Sequence, residues 1–443
     1  MKKNLAFAAV LWLAGTLPAL AALPIQHWQQ ASGVQVYLVE SHSIPMVDVE
    51  IDVDGGDRRD PPNQAGLAGI AASMTGKGLL ASGSEPAMDE NQLSEAWADL
   101  GAGFGGDAGS DRMNFSLRSL TDKVLLDRAL LLASRQLGEP SFPEDVWQRD
   151  RQRIGASIRE ADTRPGVVAN KAFETRVYGG HPYGAQTTEA SLAAISVDDM
   201  RRFYRAHMLP CRAKVSIVGD VDRAQADAIV AKMFSRLPQD PKACTPLPPV
   251  PEVPPLTAAS QQVIPFQSAQ AHVLIGQPGY KRSDPDYFPL LVGNYILGGG
   301  GLVSRLSTEV REKRGLSYGA GSYFSPGLHA GAFAVTLQTR PDQAAEAVKV
   351  AREVVAKFVA DGPSADELKA AKEFLIGGFP LRLDSNRKLL DNVANIAWND
   401  LPLDYLDTWT AQVSKVTAAQ VREAMARKLQ PDRMVTVIVG GTP

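Results

Sequence analysis

One stretch of this chain occurs twice. Residues 195–219 (ISVDDMRRFYRAHMLPCRAKVSIVG) align without a gap with residues 416–440 (VTAAQVREAMARKLQPDRMVTVIVG), 221 positions later. Each copy reads as an amphipathic helix, a turn holding Pro210 or Pro431, and a β-branched run (VSIVG or VTVIVG) with the composition of a strand. Two further matches extend the repeat at nearly the same offset. GDRRDP at 56–61 resembles GYKRSDP at 279–285, and FSLRSLTD at 115–122 resembles VTLQTRPD at 335–342, where a strand turns into a long helix (123–137 and 343–358). Collinear self-similarity at this spacing predicts two copies of one unit. Each copy mixes strands and helices, which predicts sheets with helices packed on them. Between the copies, residues 237–256 (LPQDPKACTPLPPVPEVPPL) hold 8 of the 30 prolines and favour an extended linker over helix or sheet. The organisation expected is a first unit at 22–236, the linker, and a second unit at 257–443.

The first 21 residues are set apart. Lys2 and Lys3 precede an apolar run, and Ala19-Leu20-Ala21 offers a small-x-small cleavage pattern, so 1–21 reads as a signal peptide of an exported, periplasmic protein. The run is too short for a stable membrane span, and no later apolar stretch reaches 18 residues. With 46 Lys and Arg against 49 Asp and Glu, there is no basic excess to neutralise a phosphate backbone, which argues against nucleic acid as a partner. Cys211 and Cys244 are the only cysteines. In an oxidising compartment they can close a loop of about thirty residues, or they can remain two reduced thiols.

The chemistry-bearing motifs are mostly missing. His27, His42, His181, His207, His272 and His329 are scattered, with no pair at the spacing that binds one metal from a single element. No G-x-S-x-G elbow occurs, and 76–78 lacks the spacing of a phosphate loop. The run Gly298-Gly299-Gly300-Gly301 has no dinucleotide context, and allows either sharp turning or close backbone approach.

The neighbours of that glycine run carry a resemblance. LGGGGLVSRL at 297–306, followed by VREKRGLSY at 310–318, is similar to the C-terminal-half signature of the pitrilysin, insulinase and mitochondrial processing peptidase family of zinc peptidases, and Gly66-Leu67-Ala68, Met74 and His181-Pro182-Tyr183-Gly184 also match. The resemblance covers nearly the whole chain after residue 21. It implies an α+β fold of two homologous domains, each a mainly antiparallel sheet packed with helices. It also implies an inverted zinc motif, H-x-x-E-H, after Gly66-Leu67-Ala68, with two ligands and a catalytic base. Here that segment reads Gly69-Ile70-Ala71-Ala72-Ser73. Both ligand positions, Gly69 and Ser73, lack imidazole, and Ala72 cannot move a proton. The third ligand of the family falls near Ser157, with Glu160 close by. Since a catalytic zinc needs three protein ligands, no metal is expected in this chain.

Arg311 and Tyr318, by contrast, match the pair that in the family reaches substrate near zinc. A guanidinium can hold a peptide carbonyl, and a phenol can donate to a developing oxyanion. The alternative is that Arg311 pairs with Glu309 and Tyr318 merely packs. The resemblance implies a heterodimer in which a homologous H-x-x-E-H subunit holds zinc and this chain positions unfolded peptides. The competing expectation is a pseudopeptidase that binds peptides or scaffolds a complex without turnover.

Overall fold

The computed structural model describes residues 24–239 and 244–440. The signal-peptide reading at 1–21 therefore lies outside the described residues. The chain forms two large sheets. Strands β1 (Gln26–Gln29), β2 (Gln35–Glu40) and β3 (Met46–Val53) are followed by a small ribbon of β4 (Gly78–Leu79) and β5 (Met88–Asp89), then by β6 (Gly103–Ala108), β7 (Met113–Leu120) and β8 (Lys214–Gly219). The second half supplies β9 (Ser260–Ile264), β10 (Ala271–Pro278), β11 (Ala320–Phe324), β12 (Ala332–Thr339) and β13 (Val435–Val439). Read from one edge, the first sheet runs β6-β7-β3-β8-β2-β1 and the second β11-β12-β10-β13-β9. The orders coincide strand for strand, with β1 as an addition. In each sheet one pair is parallel (β2 with β8, β9 with β13) and every other pair antiparallel.

The first half carries helices α1 (Leu67–Met74), α2 (Glu90–Asp99), α3 (Lys123–Gly138), α4 (Glu144–Ala161), α5 (Pro165–Tyr178), α6 (Glu189–Ala193), α7 (Val197–His207) and α8 (Arg223–Met233). The second carries α9 (Tyr287–Asn294), α10 (Ala344–Asp361), α11 (Ala365–Gly377), α12 (Asn386–Trp398), α13 (Tyr405–Lys415) and α14 (Ala418–Lys428). The repeated segment forms α7, turn and β8 in one copy and α14, turn and β13 in the other. Both helices start with a capping box, Ser196 with Asp199 and Thr417 with Gln420, so the same two orphan backbone donors are satisfied at each copy's entry.

Alternation in β3 sends Val47, Val49, Ile51 and Val53 to one face, where they join Phe115, Leu117 and the apolar sides of α1, α3 and α7 in the first core. Val273, Ile275, Phe333 and Val335 do the same against α9, α10 and α14 in the second. The opposite faces are covered by exchanged helices. From the first half, α5 lies on the second sheet, burying Ala169, Phe173 and Val177 against Leu274, Val435 and Val437. From the second half, α12 lies on the first sheet, burying Leu389, Leu390, Val393 and Ile396 against Tyr37, Val39 and Val218. Each of the larger aliphatic side chains and Phe173 contributes roughly 1.5–3 kcal/mol by leaving water, so the halves are held together by reciprocal cores. Among the described residues no helix is long and apolar enough to cross a membrane.

Candidate functional site

The helix where the resemblance places the inverted zinc motif is α1. It begins where Asp60 accepts from the backbone N–H groups of Gly66 (2.7 Å) and Ala68 (2.9 Å), an acid satisfying orphan donors at a helix start. Burial outweighs those bonds and raises the Asp60 carboxyl to about 7. The side chains that follow do not fit zinc. Gly69 brings no donor atom, Ala72 is buried, and the Ser73 hydroxyl donates to the carbonyl of Ile70 (3.0 Å). A neutral hydroxyl engaged with its own helix is no substitute for imidazole. Among the described residues no group of three or more His, Cys, Asp or Glu is arranged to hold a metal ion.

On α4, Ser157 and Glu160 are exposed, and Glu160 pairs with Arg164 at 3.5 Å. The acid of α4 that is linked to the end of α1 is Asp150. It is buried, and its carboxylate lies 3.6 Å from Lys77, which in turn holds Glu90 at 2.6 Å. A cation thus sits beside this carboxylate, four positions beyond Ser73. Sequence reading passed over Asp150, and the buried side of an otherwise polar helix was the available signal.

Arg311 and Tyr318 are brought together. Two wide turns frame them: in 295–299 and 307–312 the backbone bonds span five residues, as in Gly300 N–H to Tyr295 O (2.8 Å) and Lys313 N–H to Thr308 O (3.0 Å). Such widened helical turns are frequent at functional sites. The chain then reverses, and buried Ser317 donates to the Gln338 carbonyl (2.6 Å), anchoring the entry to β11. Tyr318, next along, is 85% exposed. The Arg311 guanidinium sits 5.2 Å from the centre of its ring, a cation–π pair. Glu309 does not take Arg311. It is held by Lys313 (2.7 Å) and Arg314 (2.7 Å), which depress its carboxyl. Both Arg311 donors and the phenol are therefore available to a ligand.

The glycine run serves close approach. A Cβ on Gly298 would lie 2.2 Å from the backbone nitrogen of Ser322, so only glycine lets this turn lie on β11. Asn294 fixes the same junction, donating to the Ser322 carbonyl (3.2 Å) and accepting from its hydroxyl (2.8 Å). Gly298, Gly299, Gly301 and Tyr318 line a cleft of about 680 Å³ with His272, Tyr323 and Asn170; Gly300 packs on Tyr295 instead.

His181 caps a turn. Its Nδ1 accepts from Tyr183 N–H (3.1 Å), so Nε2 is the donor to the linker carbonyl of Pro251 (2.9 Å). The Tyr183 hydroxyl donates to Asp111 (2.6 Å), which also accepts from Leu328 N–H (2.9 Å) in the other half. Cys211 and Cys244 are joined in a disulfide with Cα atoms 6.3 Å apart, tying the linker to the turn before β8.

These features converge on one family. Residues 35–191 match the model described as insulinase (peptidase family M16), and residues 194–375 the model described as peptidase M16 inactive domain. The chain belongs to peptidase family M16. It is similar to a solved peptidase M16 inactive domain from Pseudomonas fluorescens, with a TM-score of 0.87, 32% identity, and 95% of this chain and 98% of that chain covered. It is 25% identical to the non-peptidase homolog YmxG of Helicobacter pylori over 99% of this chain and 98% of that protein. To an uncharacterized zinc protease of Streptomyces coelicolor it is 31% identical over 67% of this chain and 65% of that protein, slightly less than two thirds of the relative's length. Together with the altered α1, the inactive-domain match marks this as a non-catalytic M16 chain.

Proposed function

We propose that this M16 chain is the substrate-positioning subunit of a two-chain zinc metallopeptidase in the periplasm. A homologous H-x-x-E-H subunit holds the zinc, and this chain contributes Arg311 and Tyr318 to the shared site. The observation that carries the reading is the pair itself: a phenol that is 85% exposed, with an arginine against its ring that its neighbouring acid leaves alone. A chain with only a packing role gains nothing from holding two donors at its surface. Both groups donate, as stabilising the oxyanion of a hydrolysing peptide bond requires. The substrate is an unfolded peptide, added as a strand to a sheet edge, and β6 and β11 are the edge strands beside α1 and Tyr318.

The test is reconstitution with the nearest H-x-x-E-H relative and hydrolysis of a quenched unstructured peptide. Arg311→Ala with Tyr318→Phe is expected to lower kcat on the order of 100-fold or more, as removal of oxyanion donors does. Unchanged kcat in the double variant, or no turnover with any such relative, would leave a peptide-binding scaffold as the reading.

A further inference from the structure

The cleft beside Tyr318 continues into a second one. A cavity of about 500 Å³ lies between the two halves and shares Asn170 and Tyr323 with the first. Its walls come from both exchanged helices: Asn170 and Tyr178 from α5, Asn395 and Trp398 from α12. Its charged groups are already engaged. Arg112 bonds Asp52 at 2.8 Å and lies over the Trp398 ring, Asp111 holds Arg58 at 3.0 Å, and Glu174 accepts from Gln186 at 2.7 Å. Three of the neutral groups keep free hydrogen-bonding capacity. Among the described residues the Asn170 carboxamide and the Tyr323 hydroxyl bond no other residue, and Asn395 uses its carbonyl oxygen toward Asn399 (2.7 Å) while its NH₂ keeps both donors.

Carboxamides and a phenol, offering donors and acceptors together between aromatic walls, suit the main chain of an extended peptide. A peptide backbone presents one donor and one acceptor per residue whatever its side chains. We propose that this cavity is a second peptide subsite, in which Asn170 and Asn395 hold the main chain of an extended substrate at a distance from Arg311 and Tyr318. The inference rests on the peptide-handling function proposed above. From Tyr318 to Tyr323 a peptide lying along β11 spans five residues at roughly 3.3 Å each, about 17 Å in all, so only longer peptides occupy both places.

The test uses the purified chain without a partner and fluorescence anisotropy of a labelled, unstructured, uncharged peptide of about twelve residues, with a peptide of about four residues as control. Asn170→Ala with Asn395→Ala, both exposed positions, is expected to weaken binding of the long peptide about tenfold and of the short one little. In the reconstituted pair the same variant raises KM for the long peptide and spares kcat, whereas the Arg311/Tyr318 variant lowers kcat. Wild-type affinity of the double asparagine variant for the long peptide overturns the subsite, even if Arg311 and Tyr318 prove essential. Conversely, weakened long-peptide binding with turnover insensitive to Arg311 and Tyr318 removes the proposed function and keeps the subsite. A chain that binds neither peptide removes the subsite and leaves the proposed function to the reconstituted pair.

Discussion

The two exchanged helices perform the same topological task on surfaces of opposite chemistry. Beneath α5, strand β10 presents His272, Leu274 and Gly276, flanked by Val435, Val437 and Val439 of β13. Beneath α12, the corresponding ladder positions of β3 are Asp48, Glu50 and Asp52, flanked by Lys214, Ser216 and Val218 of β8. Phe173 of α5 fits over Gly276, where a Cβ would come within 2.8 Å of its ring and 2.0 Å of the Phe333 carbonyl. Under α12 all three acids are buried, and Asp48 Oδ2 and Asp52 Oδ1 have no hydrogen-bond partner. A duplicated fold has thus kept its connectivity while one crossing became a largely apolar contact and the other a charged one. The apolar crossing should resist changes of solution condition, and the charged crossing should respond to them.

The largest expected effect breaks the apolar side. Phe173→Ala removes the ring that fills the space above Gly276 and is expected to lower stability by about 3–5 kcal/mol in urea unfolding. On the other crossing, Leu390→Ala should cost nearer 2 kcal/mol, the low end for a buried leucine, because the sheet face that α12 covers also buries carboxyl groups that favour water entry. Equal losses at the two sites would mean that the chemical difference carries no energetic weight.

Proton binding sharpens the comparison next. Burial raises the Asp52 carboxyl to about 8 against the opposing pull of Arg112, and burial raises Glu50 and Asp48 as well. The folded state therefore holds protons that the unfolded chain releases at ordinary carboxylate pKa values. That contribution is complete below the ordinary range and is lost as pH rises through about 8. The urea midpoint should fall between pH 5 and 9, and hydrogen exchange should locate the loss in α12 rather than α5. Asp52→Asn, uncharged throughout, should reduce the slope. If its slope equals that of the wild type, Asp52 is not the group that titrates.

Arg112→Ala comes third. It removes the cation 2.8 Å from Asp52 and 3.8 Å from Glu50, leaving two buried carboxyls to neutralise themselves by taking up protons. The expected cost is about 1–3 kcal/mol, greater at pH 8 than at pH 6. A pH-independent loss would assign Arg112 a packing role over Trp398 instead.

How much of this was legible beforehand depends on the range of the interaction. The repeat at 195–219 and 416–440 was readable because a capping box, an amphipathic helix, a proline turn and a β-branched strand are local signals, and both sheets inherit one strand order from them. Arg311 and Tyr318 were singled out only through the family resemblance of the segment around them, and what the structure adds is that the two side chains meet. The helix exchange was not, although 165–178 and 386–399 stand at the same offset of 221, because their sequences share little and only tertiary packing reveals which sheet each covers. Asp48, Glu50 and Asp52 alternate in a strand, a pattern that normally means a solvent-facing side, and the helix that buries them comes from more than 300 residues away. Asn170 and Asn395 were invisible for the same reason: each is an unremarkable exposed helix residue until the halves close around one cavity.

The smallest expected effect is the most direct probe of the comparison. Glu50→Leu gives β3 the residue that β10 carries at the matching ladder position, Leu274. Glu50 is buried, raised by burial, and only loosely paired with Arg112 at 3.8 Å, so its carboxyl is a weak source of stability. Replacing a buried ionisable group with an apolar one of similar volume is often neutral or favourable. The variant should be as stable as the wild type or more stable by up to about 1 kcal/mol near pH 8. It should also have a shallower pH dependence, making the first crossing behave more like the second. A loss of stability with an unchanged pH slope would show that the carboxyl makes a specific favourable contact under α12, and that the charged crossing is held by a network rather than tolerated.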